Sequence, residues 1–235
     1  MRTIDFAIMT VARSPVYIHD LIASLRSDLP VRLIAGSPDY EYLERYRDNP
    51  AREIIEVPAK GWEHFHNRSV SHRATWNYWR CLTLGPRTSS SEGLLIFEDD
   101  VIPARGWEPR FYDMVDQIES NCKGPYVLSL YSPVRLPQPP NAQTYYARYP
   151  TANFYGTQAM YFPEKVRSEF ASFLKVNGVN IFQQGYDIVL RAYLLNQGIP
   201  LFGANPCLVQ HVGEVTTGLA EFFHKATRFQ NELAA

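Results

Sequence analysis

The sequence predicts an α/β fold with a mostly parallel central sheet flanked by helices and a smaller mixed sheet in the C-terminal half. Three observations carry that expectation. Apolar runs alternate with helical patterns through about the first 130 residues, as strand–helix–strand units do. Leu94 to Phe97 is an unbroken apolar run, the pattern of a strand covered on both faces. After Leu130 the alternation gives way to a connection with four prolines in the eleven residues Ser132 to Ala142, followed by shorter apolar segments.

Each element follows from local pattern. Ile4 to Met9 reads as a strand. Ile18, Leu21, Ile22 and Leu25 then recur at helical spacing until Pro30. Val31 to Ala35 is a second strand closed by Gly36-Ser37-Pro38, Asp39 to Arg47 a short charged helix, and Glu53 to Val57 a third strand. Asn67 to Leu84 is helical, with Val70, Ala74, Asn77 and Cys81 on one face. Trp107, Phe111, Met114, Val115 and Ile118 mark the next helix, and Tyr126 to Leu130 a further strand. Tyr145 to Tyr149 and Gln158 to Phe162 read as strands of a smaller or mixed sheet. Pro163 opens a helix striped by Val166, Phe170, Phe173 and Leu174, and Tyr186 to Leu195 is another, stopped by Asn196-Gln197-Gly198. Leu201-Phe202 and Leu208-Val209 are short apolar segments, and the tail after Gly213 is polar and expected to be mobile.

Composition narrows the function. At 235 residues, 46% of them hydrophobic, the chain has ample core for one domain. A net charge of −1 gives no global field for nucleic acid or an anionic membrane. Cys81, Cys122 and Cys207 are odd in number and unpaired in spacing, which argues against a disulfide framework or a cysteine zinc site. They are expected to be reduced, as in a cytoplasmic protein. No apolar run approaches the roughly 20 residues of a membrane span, and no signal peptide precedes the first strand.

The most informative stretch is Gly93 to Pro103, where the apolar run ends in Glu98, Asp99 and Asp100. Three adjacent carboxylates repel one another, and a hard divalent cation bridging to phosphate oxygens relieves that repulsion. In open α/β sheets ligands bind beyond the carboxyl ends of the strands, which is where these acids fall. The plain alternative is a solvated acidic turn in which Asp100 helps start the helix after Pro103.

Three separated features, Thr10-Val11-Ala12-Arg13, Phe97-Glu98-Asp99-Asp100 and Gln210-His211-Val212-Gly213, together resemble glycosyltransferases of the GT-A fold. In motif order the chain is most similar to the N-acetylglucosaminyltransferase IV type, whose Leu-Glu-Asp-Asp and later Gln-His-(Ile/Val)-Gly segments precede small hydroxyl residues, here Thr216 and Thr217. The chain lacks the membrane anchor and stem of the Golgi enzymes of that group. The resemblance implies a metal-dependent, inverting hexosyl- or N-acetylhexosaminyl-transferase, with a DXD-type motif, that moves a sugar from a UDP-sugar to an acceptor hydroxyl. It implies Mn2+ or Mg2+ held by Asp100 and His211, with Glu98 and Asp99 near the ribose or metal-bound water. Residues 1–131 then form the nucleotide-sugar-binding half and 132–235 the acceptor-binding and catalytic half of one domain.

Other candidates come from position. Thr10 and Arg13 sit in the first strand-to-helix turn, where a base or diphosphate is held. Arg73 and Asn77 lie on the helix leading to the acidic strand and carry groups that read a base or ribose edge. Gly156-Thr157-Gln158-Ala159-Met160 resembles the stretch where such enzymes bind the donor sugar and acceptor, which implies close backbone approach at Gly156 and a hydroxyl contact from Gln158; the plain reading is a strand start with a turn glycine. Asp187, in Gln184-Gly185-Tyr186-Asp187, matches the family's general base at a helix start; as a plain reading it is a first-turn aspartate favoured by the helix dipole. The tail from Glu214 to Gly218 is placed to fold over bound nucleotide. A metal-dependent nucleotidyltransferase or phosphohydrolase is the competing class, but Thr10 to Pro15 lacks the glycines of a phosphate loop. A non-catalytic nucleotide-sugar-binding paralogue is the other. The acceptor stays open between glycan, small molecule and, from His64, His66, Arg68, His72 and Arg73 beside Trp62, Trp76 and Trp79, nucleic acid.

Overall fold

The computed structural model describes residues 2–139, 141, 143–181, 183–215 and 223–231. Strands β1 (Ile4–Thr10), β2 (Val31–Ala35), β3 (Arg52–Ile55), β4 (Gly93–Glu98), β6 (Val127–Ser129), β7 (Tyr146–Arg148), β8 (Ala159–Pro163) and β9 (Leu201–Ala204) form one eight-stranded sheet in the order β3-β2-β1-β4-β8-β6-β9-β7. β1 pairs in parallel with both β2 and β4, while β8 runs antiparallel to β4 and β6, and β7 antiparallel to β9. The chain leaves β1 toward β2 and β3, then returns to the other side of β1 as β4. That reversal is a topological switch point, and it opens a crevice at the carboxyl ends of β1 and β4.

The central strands are apolar because helices cover both faces. Tyr161 and Phe162 are neighbours on β8 and point to opposite faces. Tyr161 meets Phe111 on α4 (Trp107–Asn121), whereas Phe162 meets Tyr78 on α3 (Val70–Leu84) and Phe170 on α5 (Glu164–Ile181). On β4, Leu94, Leu95, Ile96 and Phe97 are fully buried, as a two-faced strand requires. The strands expected from Tyr145 to Tyr149 and Gln158 to Phe162 make the mixed side of this large sheet. The separate small sheet is an antiparallel pair, β5 (Val101–Pro103) with β10 (Val209–His211).

Several boundaries differ from the sequence expectation. The charged segment Asp39 to Arg47 forms a 3-10 turn over Glu41–Tyr46, and the third strand spans Arg52–Ile55. The helix expected over Asn67 to Leu84 begins at Val70, because Ser69 Oγ accepts the His72 N–H at 3.3 Å and caps it there. A separate helix α2 (Ala59–Phe65) precedes it. Asp100 does not start a helix: β5 follows it directly. The tail after Gly213 is held in part. Ala226 N–H donates to Gln210 Oε1 at 2.7 Å, Cys207 N–H to the Arg228 carbonyl at 2.8 Å, and Arg105 N–H to the Asn231 carbonyl at 2.9 Å. Thr216, Thr217 and Gly218 lie outside the described residues. Among the described residues no helix is long and apolar enough to cross a membrane.

Candidate active site

The crevice is a cavity of about 1030 Å³. It is lined by Thr10, Arg13, Arg73, Asn77, Glu98, Asp99, Asp100, Gly156, Gln158, Asp187 and His211, the residues put forward for nucleotide-sugar, metal and base, whereas His64, Arg68, His72, Trp76 and Trp79 of the suggested nucleic-acid cluster lie outside its lining. Six parts of the fold deliver them: the ends of β1 and β4, α3, the turn entering β8, the first turn of α6 (Tyr186–Gln197), and β10.

Asp99 is buried and heavily bonded. Its carboxylate accepts from Thr10 Oγ1 at 2.7 Å and the Val11 N–H at 3.3 Å, and is paired with Arg13 Nη2. Burial pushes its pKa up to about 6 against the pull of Arg13, so at neutral pH it remains charged. Burial also works to lower the Arg13 pKa, but the charges of Asp99 and Asp100 outweigh it and leave it raised. Glu98 accepts from Thr157 Oγ1 at 2.8 Å and Tyr186 O–H at 2.9 Å. Its pKa is pushed up to about 7, by burial first and then by the charge of Asp100.

Asp100 meets its partners on one oxygen only. Oδ2 lies 3.1 Å from Arg13 Nη1 and 3.1 Å from His211 Nε2, while Oδ1 is buried with no partner among the described residues. Burial favours its neutral form, but the hydrogen bond from His211 and the charge of Arg13 hold its pKa below the ordinary value. His211 Nδ1 sits 3.0 Å from the His224 carbonyl, which can only accept, so Nδ1 carries a proton. Nε2 therefore faces the carboxylate, and the ring is an imidazolium whose pKa, despite burial, is raised by Asp100. Loss of the Nε2 proton frees a lone pair beside an orphaned carboxylate oxygen, with the other ring N–H tied to a backbone carbonyl. Histidine ligands of metals share that arrangement, so the pair fits a divalent cation. Among the described residues no three His, Cys, Asp or Glu side chains form such a group, so this donor set is two.

The fold brings the pair together from 111 residues apart. β10 pairs with β5 so that His211 lies opposite Val101, the residue after Asp100. Val212 N–H then donates to the Asp100 carbonyl at 2.8 Å. A Cβ on Gly213 would fall 2.9 Å from Cβ and Cγ of Asp100, so only glycine lets the chain cross here.

Asp187 stands in the first turn of α6, partly exposed to the cavity, with Oδ1 accepting the Ile188 N–H at 2.9 Å. A Cβ on Gly185 would lie 2.7 Å from that oxygen. Gly156 has φ +86°, a conformation that suits glycine, and Gln158 Oε1 is buried in the lining without a partner among the described residues. Arg73 and Asn77 reach the cavity with part of their hydrogen-bonding capacity already engaged. Arg73 Nη1 donates to the Arg68 carbonyl at 2.7 Å, and Asn77 Oδ1 accepts from buried Arg80 at 3.1 Å.

Sequence reasoning missed the role of Tyr17. Its hydroxyl accepts the N–H groups of Glu214 at 3.0 Å and Val215 at 3.3 Å, and its ring lies 4.8 Å from the Arg13 guanidinium carbon. It also missed Thr157 and the Tyr186 hydroxyl on Glu98. Nothing local marks these hydroxyls, because each bonds a partner distant in sequence.

No protein-family model matches the chain, and no curated protein matches it either. Solved structures do. S. aureus TarS 1–349 in complex with UDP-GlcNAc superposes with a TM-score of 0.51 at 14% identity, covering 93% of this chain and 61% of that one. A longer S. aureus TarS structure gives 0.48 at 14% identity, covering 87% and 36%. A mannose-1-phosphate geranyltransferase from Thermus thermophilus gives 0.46 at 11% identity, covering 86% and 73%. This chain thus spans between about a third and three-fifths of the TarS chains it matches. At such identity the likeness concerns architecture alone: the α/β fold is shared with TarS 1–349.

Proposed function

We propose that this chain is a divalent-cation-dependent, inverting glycosyltransferase that moves a sugar from a UDP-sugar to an acceptor hydroxyl. The observation that carries the reading is the Asp100–His211 pair with its orphaned Oδ1, set in the same cavity as Asp187. The cavity lies at the topological switch point, where nucleotides bind in open α/β sheets. The structural neighbour that holds UDP-GlcNAc makes a UDP-sugar the first donor to try. Motif order keeps the N-acetylglucosaminyltransferase IV type as the finer likeness.

Asp100 Oδ1 and His211 Nε2 would hold Mn2+ or Mg2+. Such a cation supplies neutralisation of the charge that develops on the leaving diphosphate. Glu98 and Asp99 stand beside it for the ribose, with Thr10 and Val11 fixing Asp99. Gly156 leaves backbone space for the sugar, and Gln158 Oε1 offers an unused acceptor to its hydroxyls. Asp187 takes the proton of the acceptor hydroxyl as the sugar is attacked from the opposite face. Residues 1–131 supply most of the nucleotide contacts, and 132–235 bring the acceptor and the base, with His211, Gly156 and Gln158 reaching back to the donor. The acceptor is a glycan or small molecule.

Thermal unfolding with UDP, UDP-GlcNAc and UDP-glucose, each with and without Mn2+, tests this. A ligand at 100 times its Kd adds about 2.7 kcal/mol to the native state. A rise in Tm with a UDP-sugar that needs Mn2+ is expected. No shift with any nucleotide at millimolar Mn2+ defeats the proposal.

A further inference from the structure

We infer that Arg13 is a built-in stand-in for the divalent cation: its guanidinium holds Asp100 while the site is empty and must leave before a cation can settle. The inference rests on the proposed cation site and adds to it an order of events. Arg13 spans both acids, Nη2 on Asp99 and Nη1 at 3.1 Å from Asp100 Oδ2. Without a cation, the buried carboxylates of Asp99 and Asp100 need positive charge close by, and Arg13 is the group the fold sets across both. That charge sits within 3.1 Å of the same side chain a divalent ion would ligate. Arg13 and His211 already share Asp100 Oδ2, so a divalent ion would crowd further positive charge onto one carboxylate in a site screened from water.

Arg13 is also poorly satisfied where it rests. Its Nε is buried and unpartnered among the described residues, and one face is spent on the Tyr17 ring. It lines the cavity, so a diphosphate there is within the reach of a long side chain. A diphosphate offers the planar fork the two-oxygen partner that suits guanidinium best. The cation displaces Arg13 from Asp100, and the diphosphate receives it. Each ligand thereby removes an obstacle to the other, and the coupling is reciprocal.

Calorimetric titration of Mn2+ into the wild-type chain and Arg13→Gln, with and without saturating UDP, tests this without any activity measurement. UDP is expected to tighten Mn2+ binding to the wild type by about 5- to 150-fold, the usual range of such coupling. Arg13→Gln is expected to bind Mn2+ alone at least about fivefold tighter than the wild type and to lose most of the UDP effect. Tyr17→Leu removes the ring that holds the guanidinium but keeps its charge, and covers the case in which Arg13→Gln does not fold. It is expected to tighten Mn2+ binding to a smaller degree. Unchanged or weaker Mn2+ binding in the folded variant, with normal wild-type binding, overturns the stand-in role and leaves the cation site intact. If no protein binds Mn2+ even with UDP, both readings fail together.

Discussion

His211 can serve only one way at its position. With Nδ1 committed to the His224 carbonyl, Nε2 is the nitrogen left for Asp100 or for a cation. Asp100→Ala removes the other half of the pair. We expect it to abolish the Mn2+-dependent part of UDP binding, read by thermal shift; unchanged UDP affinity with and without Mn2+ refutes the assignment. Asp187→Asn keeps the size and the Ile188 contact but takes away the basic oxygen. Transfer should fall by about 10²- to 10⁴-fold with donor affinity kept, and near-native turnover would place the base elsewhere. The sequence made Asp100, Asp187 and His211 legible because each sits in a short motif with a chemical reason for its letters. Tyr17 was invisible for the opposite reason: its hydroxyl serves backbone 197 and 198 positions away, and no pattern around Tyr17 encodes those partners.

At the scale of elements, hydrophobic periodicity placed the buried strands and long helices well, and errors gathered at their ends. The α3 boundary turned on one hydroxyl. Ser69→Ala removes the acceptor of the His72 N–H and should cost about 1 kcal/mol, read from the denaturant midpoint; no change means the cap is idle. β5 was missed because its three residues pair only with β10, a partner supplied from the far end of the chain. Arg80 was missed likewise. It is almost fully buried and donates to the carbonyls of Ala35 and Glu56, tying the ends of β2 and β3 to α3. That use also explains why Asn77, read as a nucleotide contact, has its amide oxygen turned to Arg80. Gly213→Ala tests the crossing of β10 past Asp100. The added methyl has no room against the buried carboxylate, so Mn2+ affinity should fall severalfold and Tm should fall with it; unaltered Mn2+ binding would show that the crossing has slack.

The whole molecule carries the electrostatic cost of this arrangement. Glu98 and Asp99 have pKa values raised to about 7 and about 6, so the folded chain holds their protons where the unfolded chain has released them. His211, also raised, contributes stability that is complete below its unfolded value and lost as pH climbs through the folded one. All three shifts act in one direction, so the cation-free protein should lose stability between pH 5 and pH 8, by several degrees in Tm. Asp100, held low, acts the other way only in strong acid. Mn2+ with UDP should flatten the decline, since added positive charge favours the ionised acids. A Tm that is level or rising from pH 5 to pH 8 without cation contradicts this balance.

The stitching of β10 to β5 has a consequence for timing. The eight-stranded sheet is complete by Ala204, yet the histidine that completes the acidic pair arrives only at position 211. Every strand of that sheet is therefore made before the Asp100–His211 pair can form. The acidic pair closes only once synthesis has passed the last strand of that sheet, and a chain ending before Val209 would lack both β10 and the partner of Asp100.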